Sequence, residues 1–281
     1  MRTLPSRISK CPQPVPPIPA STKGYGENSF VACFERVVRS VSGKRDKLFQ
    51  SKEKNMTYSD FLEELGAYAE PDFAAFQKKI VMSPSQEFIG VRTPVMRKLA
   101  KAHKNDLETL FTFPDKYYEV TFIKLSAASL QPYKVFVRNL DRCISLIDNW
   151  ALCDCFKADC IKKHREEFLP VLEEIFSRGG EFYQRYVLVV LLGDYIEEKY
   201  IPVIKEYLKR SDTEKYYVHM AAAWLAAEVL VKNYEAGLKI LNAGILSAKT
   251  HNKAIQKAKE SYRITKEQKG YLESLKIKIS K

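Results

Sequence analysis

A chain of 281 residues, 46% hydrophobic and 28% charged, can bury a substantial core and has the composition of an ordinary globular protein, not of a fibre or a low-complexity polymer. No window approaches about eighteen uninterrupted apolar residues, so no membrane span is expected. The net charge of +12 sits at the ends: residues 1–55 carry 11 basic and 4 acidic side chains, residues 249–281 carry 10 and 3, and the middle carries 25 and 27. Basic ends suit a phosphate polymer, through release of its counterions, and equally suit a solvated surface with a basic tail.

Residues 1–28 are rich in Pro, Ser and Gly and lack periodicity, which predicts a disordered or extended arm. The basic start has no apolar h-region behind it, so no secretory signal is expected and the address defaults to the cytoplasm. A short amphipathic stretch, Phe30 to Val41, leads into a basic linker through Asn55. The division is therefore 1–55 as an N-terminal extension and 56–281 as the folded domain. Ser59 or Asp60 is the expected cap of a first helix over Phe61, Leu62 and Leu65.

From there on the pattern is helical, with almost no strand signal. Breakers fall at helix length: Pro71, Pro84, Pro94, Pro114, Pro132, Pro170, Gly179-Gly180, Pro202, Ser211-Asp212, Gly244 and Gly270. Thr93-Pro94 and Phe113-Pro114-Asp115 fit the first turn of a helix, where proline's missing N–H costs nothing. Val135–Ile147, Phe168–Phe176, Tyr183–Tyr195 and Tyr217–Val231 carry apolar residues three and four apart. Roughly twelve to fourteen short helices in series predict an all-α fold, an α-α superhelix or solenoid of HEAT-like (ARM-type) repeats with a period of about 35 to 45 residues. An irregular helical bundle is the alternative.

Cys153, Cys155, Cys160 and His164 form C-x-C-x4-C-x3-H, a spacing that superficially suggests zinc. On one helix Cys153 and Cys155 point about 200° apart and cannot share an ion. Buried thiols are the expectation, with no metal. Cys11, Cys33 and Cys143 complete no disulfide pattern.

The two tryptophans of the chain stand out. Trp150 and Asp154 are four residues apart, so a helix puts indole and carboxylate on one face. Tyr183-Gln184-Arg185-Tyr186 follows, and Trp224 closes an Ala-rich helix. An aromatic plane, a carboxylate and a guanidinium on successive helices suit a nucleic-acid backbone, or a sugar that develops positive charge. Arg185 is equally able to form a structural ion pair with Asp154, and Trp224 to fill a gap between tightly packed helices.

Phe88-Ile89-Gly90-Val91-Arg92-Thr93-Pro94-Val95-Met96-Arg97-Lys98-Leu99-Ala100-Lys101 resembles the opening signature of the AlkD-like DNA alkylation repair family. Asp148-Asn149-Trp150-x3-Asp154, Gln184-Arg185 and the Trp224 helix follow in that family's order, and His251-Asn252-Lys253-Ala254-Ile255-Gln256-Lys257-Ala258 resembles its closing basic helix. The likeness spans about residues 57 to 278. It implies a HEAT-like-repeat DNA glycosylase that excises cationic N3- and N7-alkylated purines from double-stranded DNA, without a cofactor and without flipping the lesion into a pocket. Asp154 would be the catalytic carboxylate, Trp150 and Trp224 would pack on the sugar-phosphate of the lesion nucleotide, and Arg185 would bind phosphate. Arg92, Thr93, Lys253 and Lys257 would contact the DNA backbone. Two positions depart from the family's pattern: Ala227 stands where a basic residue is common, and Met220 where a lysine is. The other readings are a non-catalytic DNA-binding solenoid and, from a different class, a protein-interaction solenoid. A solenoid with capped ends is expected to be a monomer.

Overall fold

The computed structural model describes residues 56–279, and the expected N-terminal extension lies outside them. Among the described residues there are fourteen α-helices and three short 3-10 turns, and the strand signal is one isolated bridge between Glu87 and Tyr117. The helices are α1 Tyr58–Gly66, α2 Pro71–Val81, α3 Thr93–Ala102, α4 Leu107–Thr112, α5 Tyr118–Ser129, α6 Tyr133–Ser145 and α7 Trp150–Cys155. They continue as α8 Arg165–Ser177, α9 Glu181–Asp194, α10 Ile201–Arg210, α11 Tyr216–Lys232, α12 Tyr234–Asn242, α13 Ala248–Lys259 and α14 Lys266–Ser274. None of these helices is long and apolar enough to cross a membrane.

Two rows of helices run along the fold, as an all-α helical-repeat solenoid requires. In one row α5, α7, α9, α11 and α13 each touch the next. In the other, aromatic contacts link α6, α8 and α10: Tyr133 stacks on His164 at 4.2 Å, just before α8, and Phe176 meets Tyr207 edge-on at 4.9 Å. The first row starts at residues 118, 150, 181, 216 and 248, so its step is 31 to 35 residues, shorter than expected. Short helices and tight turns account for the difference: Gly179 and Gly180, both at positive φ, join α8 directly to α9.

Hydrophobic pattern and burial agree where the helices are longest. Helices α5, α9 and α11 are buried almost all round, with low amphipathicity, because they have neighbours on nearly every side. Helices α6 and α10 keep a strongly one-sided pattern.

Several local expectations are corrected. Thr57, not Ser59 or Asp60, caps α1, in a capping box with Asp60. Pro114 sits in the turn ahead of α5, not in a helix's first turn. There Asp115 accepts from the buried Lys124 (2.9 Å) and from Thr121 (2.8 Å). Pro170 lies inside α8, on its exposed side, and Gly270 inside α14, so neither breaks its helix. Pro71, Pro94 and Pro202 do occupy first-turn positions.

The loop before α3 is locked from within. The fully buried Glu119 carboxylate accepts the N–H groups of Ile89 (3.0 Å), Gly90 (2.8 Å) and Val91 (3.3 Å). Burial raises its pKa, and those three donors pull the other way. Gly90 has φ +92°, and a Cβ there would stand 2.2 Å from the Glu70 carbonyl oxygen. Gly90→Ala should therefore cost about 2–4 kcal/mol. Urea denaturation of the variant tests this, and a loss below about 0.5 kcal/mol would contradict the packing described.

Candidate functional site

The site begins with α7, a six-residue helix. Asn149 caps it, its side-chain oxygen accepting from the Leu152 N–H at 3.0 Å. Trp150 stands on the first turn and Asp154 on the last, as the four-residue spacing requires. The Trp150 indole N–H donates to the Ile80 carbonyl at 3.3 Å, and the ring is partly exposed.

Asp154 is buried and accepts two parallel bonds from Arg185 on α9: Nε to Oδ1 at 2.9 Å and Nη2 to Oδ2 at 2.7 Å. The Arg185 Nη1 donates to the Tyr217 carbonyl at the start of α11, at 2.8 Å. One guanidinium thus ties α7, α9 and α11 together, using three of its five N–H groups on oxygen. Burial works against its charge, but the Asp154 carboxylate outweighs burial and holds the Arg185 pKa above its ordinary value. Both side chains are about 5% exposed, 6% for Arg185 and 4% for Asp154, so the pair is an internal one. The ion-pair alternative for Arg185 is therefore the observed resting geometry.

Helix α11 exposes a single stripe. Its buried positions surround Tyr217, Met220, Trp224, Glu228 and, in the last turn, the exposed Lys232, which are three or four residues apart, hence on one face. Ala227 is 3% exposed and points into the core, so that position offers no surface charge. The accessible neighbour is Glu228, an acid.

The start of α11 is held by three residues on one face of α9. Glu181 accepts from the Tyr217 N–H at 2.6 Å, Gln184 from the Asp212 N–H at 2.8 Å, and Arg185 takes the Tyr217 carbonyl. Tyr217 packs on Phe182 and on the exposed Tyr216, each at 5.3 Å, and its ring is 5.8 Å from the Arg185 guanidinium carbon. Its hydroxyl is raised in pKa by burial first and then by surrounding charges, among them Glu181 and Asp148. Sequence reasoning missed Tyr217 and Glu181 and gave Gln184 only as the neighbour of Arg185. The i, i+3, i+4 spacing of 181, 184 and 185 was the available signal.

The basic residues are placed differently from the tryptophans. Arg92 pairs with Glu70, Nη2 to Oε2 at 2.7 Å, and lies 4.0 Å above the Phe73 ring. Thr93 is 2% exposed and its hydroxyl has no partner among the described residues. Arg92 therefore ties the start of α3 to α2, and Thr93 is buried at the first position of α3. Lys253 and Lys257 are partly exposed on α13, with Gln256 at 3.3 Å and Glu260 at 2.9 Å. Of the cysteines, Cys143 and Cys153 are buried, and burial pushes the first up to about 12 and the second higher still, whereas Cys155 and Cys160 are only partly buried; no cluster of three or more His, Cys, Asp or Glu placed to hold a metal occurs among the described residues.

Beneath the α11 stripe, the buried His219 Nδ1 is 2.9 Å from the Thr250 hydroxyl, which is 2.8 Å from the Ser247 hydroxyl capping α13. Burial, then the charges of Lys249 and Lys253, lower the His219 pKa from 6.5 to about 4.

The sequence model of a family described as DNA alkylation repair enzyme matches residues 61–258 of this chain. A search of curated proteins finds no match.

Two predictions follow from this geometry. Arg185→Met leaves Asp154 buried without its cation and should destabilise the fold by about 3–5 kcal/mol, whereas adding Asp154→Asn to it should recover part of that loss. Additive losses in urea denaturation would contradict the pairing. For His219, the unfolded chain takes up a proton near pH 6.5 and the folded one only near 4, so its contribution to stability falls as pH drops through that interval. The stability advantage of wild type over His219→Gln should shrink between pH 7 and pH 4.5, and a constant difference would refute the assignment.

Proposed function

Since the chain belongs to the DNA alkylation repair enzyme family, we propose that it is a monofunctional DNA glycosylase that hydrolyses the N-glycosidic bond of cationic N3- and N7-alkylated purines in double-stranded DNA. The observation that carries this reading is the buried Asp154–Arg185 pair across α7, α9 and α11, with partly exposed tryptophans on α7 and α11. A HEAT-like, curved stack of such repeats would present these residues to the duplex from one face.

Alkylation at N7 or N3 makes the purine a cationic, labile leaving group. As the C1′–N9 bond breaks, its electron pair leaves with the base, which departs neutral. The sugar becomes oxocarbenium-like, and water attacks C1′ and gives up a proton, leaving an abasic site. Because the leaving group already carries its charge, the reaction calls for no general acid, metal or cofactor.

Asp154 stabilises the developing sugar charge. An unopposed carboxylate about 4 Å away would contribute on the order of 4 kcal/mol at an effective dielectric of about 20, roughly a thousandfold in rate. Arg185 cancels most of that field at rest. When a DNA phosphate takes the remaining Arg185 N–H groups, the guanidinium is shared between two anions and the net charge facing the sugar becomes negative. Trp150 and Trp224 line the sugar-phosphate and add cation–π attraction of about 0.5 to 2 kcal/mol each. Lys253 and Lys257 supply backbone contacts from α13. We assign this activity to the 56–281 domain, acting as a cytoplasmic monomer; the family match at 61–258 supports the assignment to that part of the chain.

One observation favours a second reading. The saturation of Asp154 by Arg185, with Met220 and Glu228 on the exposed stripe of α11, suits a protein that binds duplex DNA without excision. Release of 7-methylguanine from methylated duplex DNA separates the two. Wild type should release it, Asp154→Asn should lose about a hundredfold to a thousandfold while still binding DNA, and uracil should stay in place. Salt-sensitive binding with no release by a folded wild-type protein would establish the binder instead.

A further inference from the structure

Helix α7 is too short to orient itself, since six residues leave it few internal hydrogen bonds. What precedes it is held from the far side of the chain. Asp148 Oδ2 accepts from the Ser83 hydroxyl at 2.7 Å and from the Ser85 hydroxyl at 2.6 Å, and Oδ1 accepts from the Asn149 side-chain amide at 2.6 Å. Ser83 in turn accepts from the Gln86 N–H at 3.2 Å. Both serines sit in the loop after α2, which leaves the helix through Met82 in the left-handed region, φ +54°. That conformation is uncommon for any residue with a Cβ, and it has to be maintained by its surroundings. The last turn of α2, just before this loop, meets the site at a second point, the Ile80 carbonyl that receives the Trp150 indole N–H.

We propose that Asp148, clasped by Ser83 and Ser85, is a positioning residue that sets the orientation of Trp150 and thereby the grip of the site on the lesion nucleotide. The Ile80 contact fixes one edge of the indole, and the Asp148 clasp, two residues earlier in the chain, fixes the backbone from which the ring projects. With the clasp broken, the segment leading into the helix would lose both of its hydroxyl ties to the loop after α2. The charged acceptor strengthens each serine bond relative to a neutral one. Three donors satisfy the Asp148 carboxylate within this clasp, so it is spent on holding the chain. Its consequence for binding rests on the glycosylase or DNA-binding reading above, whereas its consequence for the indole does not.

The test exploits the presence of only two tryptophans in the chain. In a Trp224→Phe background, Trp150 is the sole indole reporter. Asp148→Ala should shift its emission to longer wavelength and raise acrylamide quenching about twofold, and Ser83→Ala with Ser85→Ala should do the same. Adding the serine substitutions to Asp148→Ala should change nothing further, because the three residues act as one unit. Asp148→Asn, which keeps one acceptor oxygen, should restore part of the native emission. Circular dichroism shows whether each variant is folded; should Asp148→Ala fail to fold, the serine pair carries the test.

In the otherwise wild-type protein, Asp148→Ala should weaken binding to a duplex carrying 7-methylguanine, or slow excision from it, about tenfold to a hundredfold. Unchanged Trp150 emission and quenching in folded variants would overturn the proposal. A shifted emission with unchanged affinity and rate would overturn its functional half. If wild type itself neither binds nor cleaves DNA, the functional reading fails while the fluorescence arm still decides the clasp.

Discussion

The Asp154–Arg185 pair is the constraint around which the described part of the chain is arranged. Removing two charges from water costs several kcal/mol per ion, and only close, bidentate geometry with further hydrogen bonds offsets it. Here the offset comes from both carboxylate oxygens and from the Tyr217 carbonyl, so the pair is stable only if α7, α9 and α11 stand in one relative placement. A Leu–Leu contact would tolerate sliding, whereas this pair does not. The same interaction that defines the register of three repeats also places a carboxylate and a guanidinium at fixed separation, a prerequisite for acting on a charged substrate without reorganisation.

That register repeats along the chain. Hydrogen bonds between successive repeats join residues at similar separations: Asp154 with Arg185, 31 apart, His219 with Thr250, also 31 apart, and Glu181 with Tyr217, 36 apart. Each links one helix of the row to the next. The apolar core alone would not select this spacing, since Leu, Val and Ala on α9 and α11 offer many equivalent packings. Polar contacts that must be satisfied on burial choose among them.

Much of this was legible in the sequence, and the parts that were not share a cause. The Trp150–Asp154 spacing determines a shared face because helix geometry is local. The all-α reading holds for the same reason, since breakers and three- and four-residue periodicity are local signals. Arg185 was recognisable as a site residue, but its partner was left open because that depends on how α9 docks against α7. Arg92 and Thr93 pose the opposite difficulty. They belong to a conspicuous motif that also seats a loop: Gly90 allows the Glu70 backbone to approach, Glu119 collects the loop's N–H groups, and Arg92 closes on Glu70. A motif built to satisfy buried backbone groups looks, in one dimension, like a motif built to bind. Pro170 and Gly270 read as breakers because propensity is a weak prior that tertiary context overrides.

The distribution of charge around α11 bears on how a duplex would be held. The accessible stripe of that helix carries Tyr217, Met220, Trp224 and Glu228, so around the tryptophan it offers aromatic and apolar surface and one negative charge, and its one cation, Lys232, stands in the last turn. In the proposed reading, phosphate contacts near the tryptophan come from the neighbouring helices, Arg185 on α9 and Lys249, Lys253 and Lys257 on α13. Cations flanking an aromatic stripe separate two tasks that a continuous basic groove would merge. The flanks would hold the backbone at a distance set by the helix row, and the stripe would meet the sugar. Each phosphate contact steepens the salt dependence of binding by about one unit, so few contacts imply weak retention of undamaged DNA. For a reaction in which the lesion's own lability supplies much of the selectivity, weak retention is an advantage. A protein that releases intact duplex quickly samples more sites, and under the proposed mechanism the carboxylate would act only where the glycosidic bond is already poised to break.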